Sequence, residues 1–352
     1  MTNEILFERR GEWGVVTLNR PQALNALSWD MCKAFRATLI GWQGDSAVRA
    51  VLIKGAGEKA FCAGGDIRWL HHAAKKDPVH ASEFFRDEYR LDAAIHHFTK
   101  PYVAIIDGIV MGGGVGVSVH GDFRVAGDRT LFAMPETAIG LFPDVGGGHF
   151  MPRLHDGLGL YYGLTGARAK AADCMAAGIA THYAPSAKMA ELEDALIALS
   201  FGSHAHADIE AVLDRFADDP GAAPINDVRG QIARLFLGHE SFEDFWAALS
   251  RNDGVFGVET FETLKKMSPT SMKLTFEQMK RGHDMDFDHV MQMEFRIVSH
   301  VMQGHDFFEG VRAVILDKDK NPKWAPTRVD EVSDAQIAAY FDNIGERELQ
   351  LP

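Results

Sequence analysis

The chain has 352 residues, of which 46% are hydrophobic and 24% charged, and a net charge of −13. That composition predicts a soluble globular protein of about two structural units, long enough to bury a core without disulfides or structural metals. The acidic balance argues against nucleic-acid binding, which needs a basic face or stripe, and no apolar run reaches the roughly 18 to 20 residues of a membrane span.

In chain order, Met1-Thr2-Asn3-Glu4 leads straight into a strand-like segment, with no charged-then-apolar signal and no Arg-rich transit pattern. Gly14 to Leu18 reads as a strand closed by Asn19-Arg20-Pro21. Ser28 caps a helix with Met31, Phe35, Leu39 and Trp42 on one face. Further strands are expected at Ala50 to Lys54, Tyr102 to Ile106, Phe123 to Ala126 and Leu131 to Ala133. From about residue 186 strand-like runs nearly vanish. Ala207 to Phe216, Phe242 to Leu249 and Asp288 to Met302 read as helices, Pro220, Gly221 and Pro224 mark a loop, and Ser268-Pro269-Thr270 starts another helix. The expected class is therefore α/β, a core followed by a helical C-terminal region. Cys32, Cys62 and Cys174 are odd in number, widely spaced and without a CxxC pair. They point to a reducing compartment and, with the N-terminal pattern, to a cytoplasmic location.

Glycine gathers at strand exits: Gly64-Gly65, then Gly112-Gly113-Gly114 with Gly116, then Gly146-Gly147-Gly148. Neither GxGxxG nor GxxxxGK[ST] spacing is present. Such loops let a ligand approach bare amides, and two amides aimed at one carbonyl oxygen make an oxyanion hole. Tight turns and close helix packing explain the same glycines, and spacing alone favours packing.

Three carboxylates stand out. Glu136 and Asp144 lie eight residues apart around a turn closed by Pro143. Facing one cavity, they would have pKa values driven apart, leaving one acid ionised and the other protonated. The plainer alternatives are a turn carboxylate for Glu136 and an N-cap for Asp144. Glu88 shares a helical stripe with Phe84, Leu91, Ile95 and Phe98; a charge there is costly unless paired or used, and on pattern alone a stripe edge reaching solvent is preferred. Cys62 has no nearby His motif and reads as a small buried residue. His71-His72, His96-His97, His204 and His206 give no three-ligand set, so no metal is expected. Met291, Met293 and Met302 read as packing residues, and Arg20, Lys59 and Arg68 as surface charges by default, with contacts to the phosphates of an anionic ligand a hypothesis resting on their loops.

In order, Asn19-Arg20-Pro21, Leu24-Asn25-Ala26-Leu27, Lys59 to Asp66, Asp107-Gly108 through Gly114, Pro135-Glu136 and Thr165 to Arg168 resemble the crotonase (enoyl-CoA hydratase/isomerase) superfamily. The resemblance implies a crotonase-like ββα spiral core over residues 1–200, a helical C-terminal region over 201–352, and an acyl-CoA thioester as ligand. It assigns the oxyanion hole to the amides of Gly65 and Gly113, and the border of the CoA site to the loop containing Ala63 and Gly64. Members usually form trimers or dimers of trimers, so a homo-oligomer is a form to look for, although the helical extension is placed to block the usual trimer face. Hydratases of the superfamily carry a glutamate where this chain has Gly116, which disfavours water addition by a glutamate pair.

Further segments are similar to the 3-hydroxyisobutyryl-CoA hydrolase branch: Pro135 to Gly147, Gly116 to Gly121, Ser268 to Ser271, Glu309 to Asp319 and Pro322-Lys323-Trp324. That resemblance implies thioester hydrolysis in valine catabolism, without metal or redox cofactor, while the charge balance and the short apolar runs leave no nucleic-acid or membrane partner expected. Glu136 would be base or nucleophile, Asp144 would orient it and assist thiolate departure, and Glu88 would hold the acyl hydroxyl. The alternatives are an enoyl-CoA isomerase or hydratase and a silent acyl-CoA binder.

Overall fold

Short β-branched runs with two-residue alternation build the sheets. The computed structural model describes residues 3 to 351, so Met1 and Thr2, part of the N-terminal expectation, lie outside the described residues. The strands are β1 (Ile5–Arg10), β2 (Trp13–Leu18), β3 (Ala50–Gly55), β4 (Ala60–Cys62), β5 (Tyr102–Ile105), β6 (Ile109–Met111), β7 (Phe123–Ala126), β8 (Leu131–Ala133), β9 (Ala169–Lys170) and β10 (His182–Tyr183). Two compact units divide the chain. The first comprises Met1–Gly65, Arg90–Phe132 and Arg168–Ile225, and the second Asp66–Tyr89, Ala133–Ala167 and Asn226–Pro352.

The first unit holds a six-stranded sheet in the order β1-β2-β3-β5-β7-β10, parallel except for the β1–β2 hairpin. Its register sets Trp13 beside Ala50, Val15 beside Leu52, Leu52 beside Val103 and Ile105 beside Val125. Alternate residues therefore share one face, and Leu192 and Leu196 of the helix Met189–Ile197 and Ile209 and Val212 of the helix Ala205–Phe216 join the same buried cluster. The helix Trp29–Gly44 is capped by Ser28, whose Oγ accepts from the Met31 N–H, and it buries Met31, Phe35 and Leu39. A second sheet, β4-β6-β8-β9, consists of strands of three residues or fewer. Strands of this length are too short to show a period.

The second unit is mostly helical. Ser268 caps the helix Pro269–Gly282 by accepting from the Ser271 N–H at 3.1 Å. That helix and Phe287–Val301 carry long buried stripes, including Met272, Met279, Met291 and Phe295. Among the described residues no helix is long and apolar enough to cross a membrane.

Candidate active site

The helix Pro78–His96 buries the stripe expected for it: Phe84, Leu91 and Ile95 are inaccessible or nearly so, and Glu88 is only 2% exposed. The solvent-edge alternative for Glu88 is thereby overturned. Arg86 is engaged elsewhere, donating to Glu83 Oε2 at 2.8 Å and to the Arg347 and Glu348 carbonyls. Burial pushes the Glu88 carboxyl well above the usual range and the nearby Asp144 charge adds to this. Its Oε1 is buried without a hydrogen-bond partner among the described residues.

Glu136 opens the single turn of 3-10 helix Glu136–Ile139 and is 5% exposed. The turn is pinned from two sides. The Ser268 N–H donates to Thr137 O at 3.1 Å, and Thr137 Oγ1 donates to Leu164 O at 3.0 Å. Ser268 Oγ in turn donates to Asp306 Oδ2 at 2.6 Å, and Asp306 Oδ1 accepts from the Ala325 N–H. The segments around 268, 306 and 325 thus have a positional duty. Burial, then the Asp144 charge, raise Glu136 well above the carboxylate range, and its Oε2 is also buried and unpartnered among the described residues.

Asp144 does not cap the helix that follows. That helix, Gly147–Phe150, has Gly146 at its N-cap, and the Gly147 N–H donates to the Asp144 backbone carbonyl at 2.8 Å. The Asp144 side chain instead accepts a hydrogen bond from the Tyr89 hydroxyl at 2.9 Å. Burial pushes Asp144 up to about 7, while the Tyr89 bond favours its charged form. Glu88, Glu136 and Asp144 therefore share one electrostatic environment in the second unit, in which burial favours the protonated form of each and the Asp144 charge raises the other two. Two more groups belong to it that sequence reasoning missed. Tyr89 is fully buried between the edges of Phe85 and Phe295. Glu294, fully buried, accepts from the Gly146 N–H on Oε2 and the Gly148 N–H on Oε1, each at 2.8 Å.

The glycine loops of the first unit form a second group. Asn25 is fully buried; its Nδ2 donates to Ala56 O and Ala60 O at 2.9 and 2.8 Å, and its Oδ1 accepts from the Arg20 N–H. The Ala63 N–H donates to Leu24 O and the Leu27 N–H to Gly64 O. The 19–27 segment thus fixes the Ala60–Gly65 stretch. Leu27 and Gly65 form a parallel bridge, a pairing that uses the peptides flanking Gly65 and leaves the Gly65 N–H out of the ladder. β4 pairs in parallel with β6, so both glycine loops leave the same sheet side by side. A Cβ on Gly64 would lie 3.7 Å from the Gly113 nitrogen. Gly113 is the first residue of the helix Gly113–Val119, and helix geometry leaves its N–H without an intrahelical acceptor. Gly114 serves packing, since a Cβ there would meet Cys62 O at 2.2 Å. Packing thus accounts for Gly114, whereas the Gly65 and Gly113 amides are left unused by the bridge and the helix.

Cys62 is buried with its thiol toward Gly64 O at 3.6 Å, and all three cysteines are buried thiols. Arg20 pairs with Glu4 and donates to Ala26 O, and Arg68 donates to Ile315 O. His204 lies at the N-cap of a helix and His206 faces Asp122.

Residues 13–341 match the enoyl-CoA hydratase/isomerase family. The chain belongs to that family. It is 48% identical to the mitochondrial 3-hydroxyisobutyryl-CoA hydrolase of Danio rerio, over 99% of this chain and 92% of that one. To the human enzyme of the same name it is 45% identical, over 99% and 90%. Among solved structures, a carnitinyl-CoA dehydratase from Mycobacterium thermoresistibile superposes with a TM-score of 0.91 at 38% identity, covering 99% of both chains. An enoyl-CoA hydratase from Rhodobacter sphaeroides gives 0.88 at 34%, covering 99% and 100%. The crotonase fold is thus established. The cytoplasmic expectation is corrected: relatives matching almost the whole chain are named as mitochondrial enzymes. Buried reduced cysteines distinguish reducing from oxidising surroundings, not one reducing compartment from another.

Proposed function

We propose that this protein hydrolyses 3-hydroxyisobutyryl-CoA to 3-hydroxyisobutyrate and CoA. The observation that carries the reading is the buried set Glu88, Glu136 and Asp144, in which two carboxyl oxygens lack partners among the described residues and one acid is poised at about 7. An acid–base group poised near the working pH is what hydrolysis requires. The names of relatives at 45 to 48% identity support the same substrate.

The amides of Gly65 and Gly113 take the thioester oxygen and stabilise the tetrahedral oxyanion. The loop of Ala63 and Gly64 borders the CoA moiety, and Glu88 accepts a hydrogen bond from the acyl hydroxyl. In the resting trio the first charge belongs to Asp144 and the proton to Glu136. Glu136 passes that proton to Asp144 and becomes base or nucleophile. As base it removes a proton from the water whose oxygen bonds to the carbonyl carbon; as nucleophile it forms a mixed anhydride that water then opens. The C–S bond breaks in either course, and Asp144 returns its proton to the departing thiolate.

Thiol release from 3-hydroxyisobutyryl-CoA, with Glu136→Gln and Asp144→Asn alongside, tests the function. Release by the wild type and its loss in both variants is the expected result. Formation of an unsaturated acyl-CoA without free thiol sinks the hydrolase reading in favour of a dehydratase. Heavy-oxygen water separates the two courses, because label enters the Glu136 carboxylate over repeated turnovers only if an anhydride forms.

A further inference from the structure

Asp144 sits at the head of a turn in an unfavourable conformation. Val145, a β-branched residue that is fully buried, has φ 52°, and Gly146 follows at φ 81°. Left-handed backbone at a Val is a genuine outlier, and such conformations persist only where the surroundings over-determine them. The surroundings here are two polar side chains from the C-terminal helices. Glu294 on the helix Phe287–Val301 accepts from the Gly146 and Gly148 amides, one on each oxygen. Gln278 on the helix Pro269–Gly282 uses one Nε2 to donate to Glu294 Oε1 at 3.0 Å and to the Pro143 carbonyl at 2.7 Å. The peptide before Asp144 is thus held by Gln278 and the amides of Gly146 and Gly148 by Glu294, 148 and 146 positions away in sequence, and Gln278 and Glu294 are both inaccessible to solvent.

We propose that Glu294 is a positioning residue for the reaction: through Gly146, Gly148 and Gln278 it holds the Pro143–Gly148 turn in the conformation that presents the Asp144 carboxylate to the Tyr89 hydroxyl and to the reacting groups. The proposal rests on the reading that Asp144 takes part in hydrolysis. Glu294 has no role toward substrate itself, since both its oxygens are occupied by the turn. A carboxylate suits the place because it offers an acceptor on each oxygen, whereas Gln would turn an NH2 group toward one of the two amide donors. The acid groups around Asp144 are Glu88 and Tyr89 on the helix Pro78–His96, Glu136 on its 3-10 turn, and Glu294 itself.

A double-mutant cycle tests this, measuring kcat and KM by thiol release for wild type, Glu294→Gln, Asp144→Asn and the double variant. A misplaced catalytic group costs up to about 100-fold in rate, so Glu294→Gln is expected to lower kcat about 30- to 100-fold. KM should change less than about threefold, because no substrate contact is lost. In the Asp144→Asn background the same substitution should cost less than about threefold more, because residues acting as a unit are strongly non-additive. Gln278→Met, which removes the bridge to Pro143 while leaving both amide bonds of Glu294, should reproduce a smaller kcat loss with the same non-additivity. It carries the cycle if Glu294→Gln does not fold. A loss of equal factor in both backgrounds overturns the proposal, as does a Glu294→Gln kcat within about threefold of wild type. Full activity in Asp144→Asn alone is a different failure, that of the Asp144 reading.

Discussion

Tyr89→Phe removes one oxygen and keeps the ring that packs against Phe85 and Phe295, so its effect is confined to the 2.9 Å hydrogen bond with Asp144. The hydroxyl stabilises the ionised carboxylate, and hydrogen bonds to charged groups contribute about 1.5 to 3 kcal/mol. At about 1.4 kcal/mol per pH unit, losing it raises the Asp144 pKa by about one to two units. Starting from about 7, the variant carboxyl should titrate at about 8 to 9. The acidic limb of kcat/KM against pH reports groups of the free enzyme. Its midpoint should move upward by that amount, with activity at pH 7 falling about 5- to 50-fold and recovering as the pH approaches 10. The assay is thiol release from the 3-hydroxyacyl-CoA between pH 5.5 and 10 in constant ionic strength. A loss of equal size at every pH, or an unmoved midpoint, refutes the assignment of the first charge to Asp144.

Glu88→Gln should collapse selectivity. If the wild type prefers a 3-hydroxyacyl-CoA to its unhydroxylated analogue by about 100-fold or more, the variant should discriminate less than about tenfold in direct competition, and retained discrimination removes Glu88 from substrate recognition. Asp144→Asn should stabilise the protein at pH 8 and not at pH 4. The native carboxyl keeps its proton up to about 7, whereas the unfolded chain releases it near about 3.9, so the acid makes stability fall as pH rises through that window. The gain at pH 8 is at most about 4 kcal/mol; urea midpoints that shift equally at both pH values would contradict it. Gly114→Ala drives a methyl to 2.2 Å from the Cys62 carbonyl, a backbone contact that cannot relax cheaply, and should cost more than about 2 kcal/mol in thermal or urea unfolding.

Long β-branched runs and capped helices were legible because each carries its own period. The strands β7 and β8 have the expected bounds, and the helix expected at Asp288 to Met302 is observed at Phe287–Val301. The strands β4, β6, β9 and β10, of two or three residues, were not and are specified by neighbours, as Asn25 fixes β4 through Ala60 O, whereas the equally short β8 was read from its apolar run. The helical period placed Glu88 on a core stripe correctly, but it cannot say whether a long side chain bends out to water; burial decided that. Glu294 carried the same signal unread. Phe287, Val290, Met291, Glu294, Val298 and Val301 form one buried helical stripe with a single acid in it, as in the Phe84–Phe98 stripe. What the sequence cannot show is the partner, because Gly146 and Gly148 bind through backbone amides that no residue type advertises.

The kind of donor around these acids has a chemical consequence. An adjacent Arg or Lys would lower a carboxyl pKa by about one to three units, which stabilises the buried charge but leaves a weak base at neutral pH. Asp144 receives a phenol and Glu294 receives two amides and a carboxamide, all uncharged donors. Such donors offset part of the desolvation cost without adding a fixed positive charge, so the basicity that burial raises is retained and Asp144 rests near 7. A thioester brings no charge of its own to its reacting carbon, so an anionic pocket does not repel it. The negative charge developing on the thioester oxygen is given to main-chain N–H groups in the proposed chemistry, which have no proton to lose at neutral pH. Keeping the proton-transfer groups acidic and the oxyanion donors backbone therefore lets each be tuned without disturbing the other, and it predicts that the pH dependence belongs to the carboxyl groups alone.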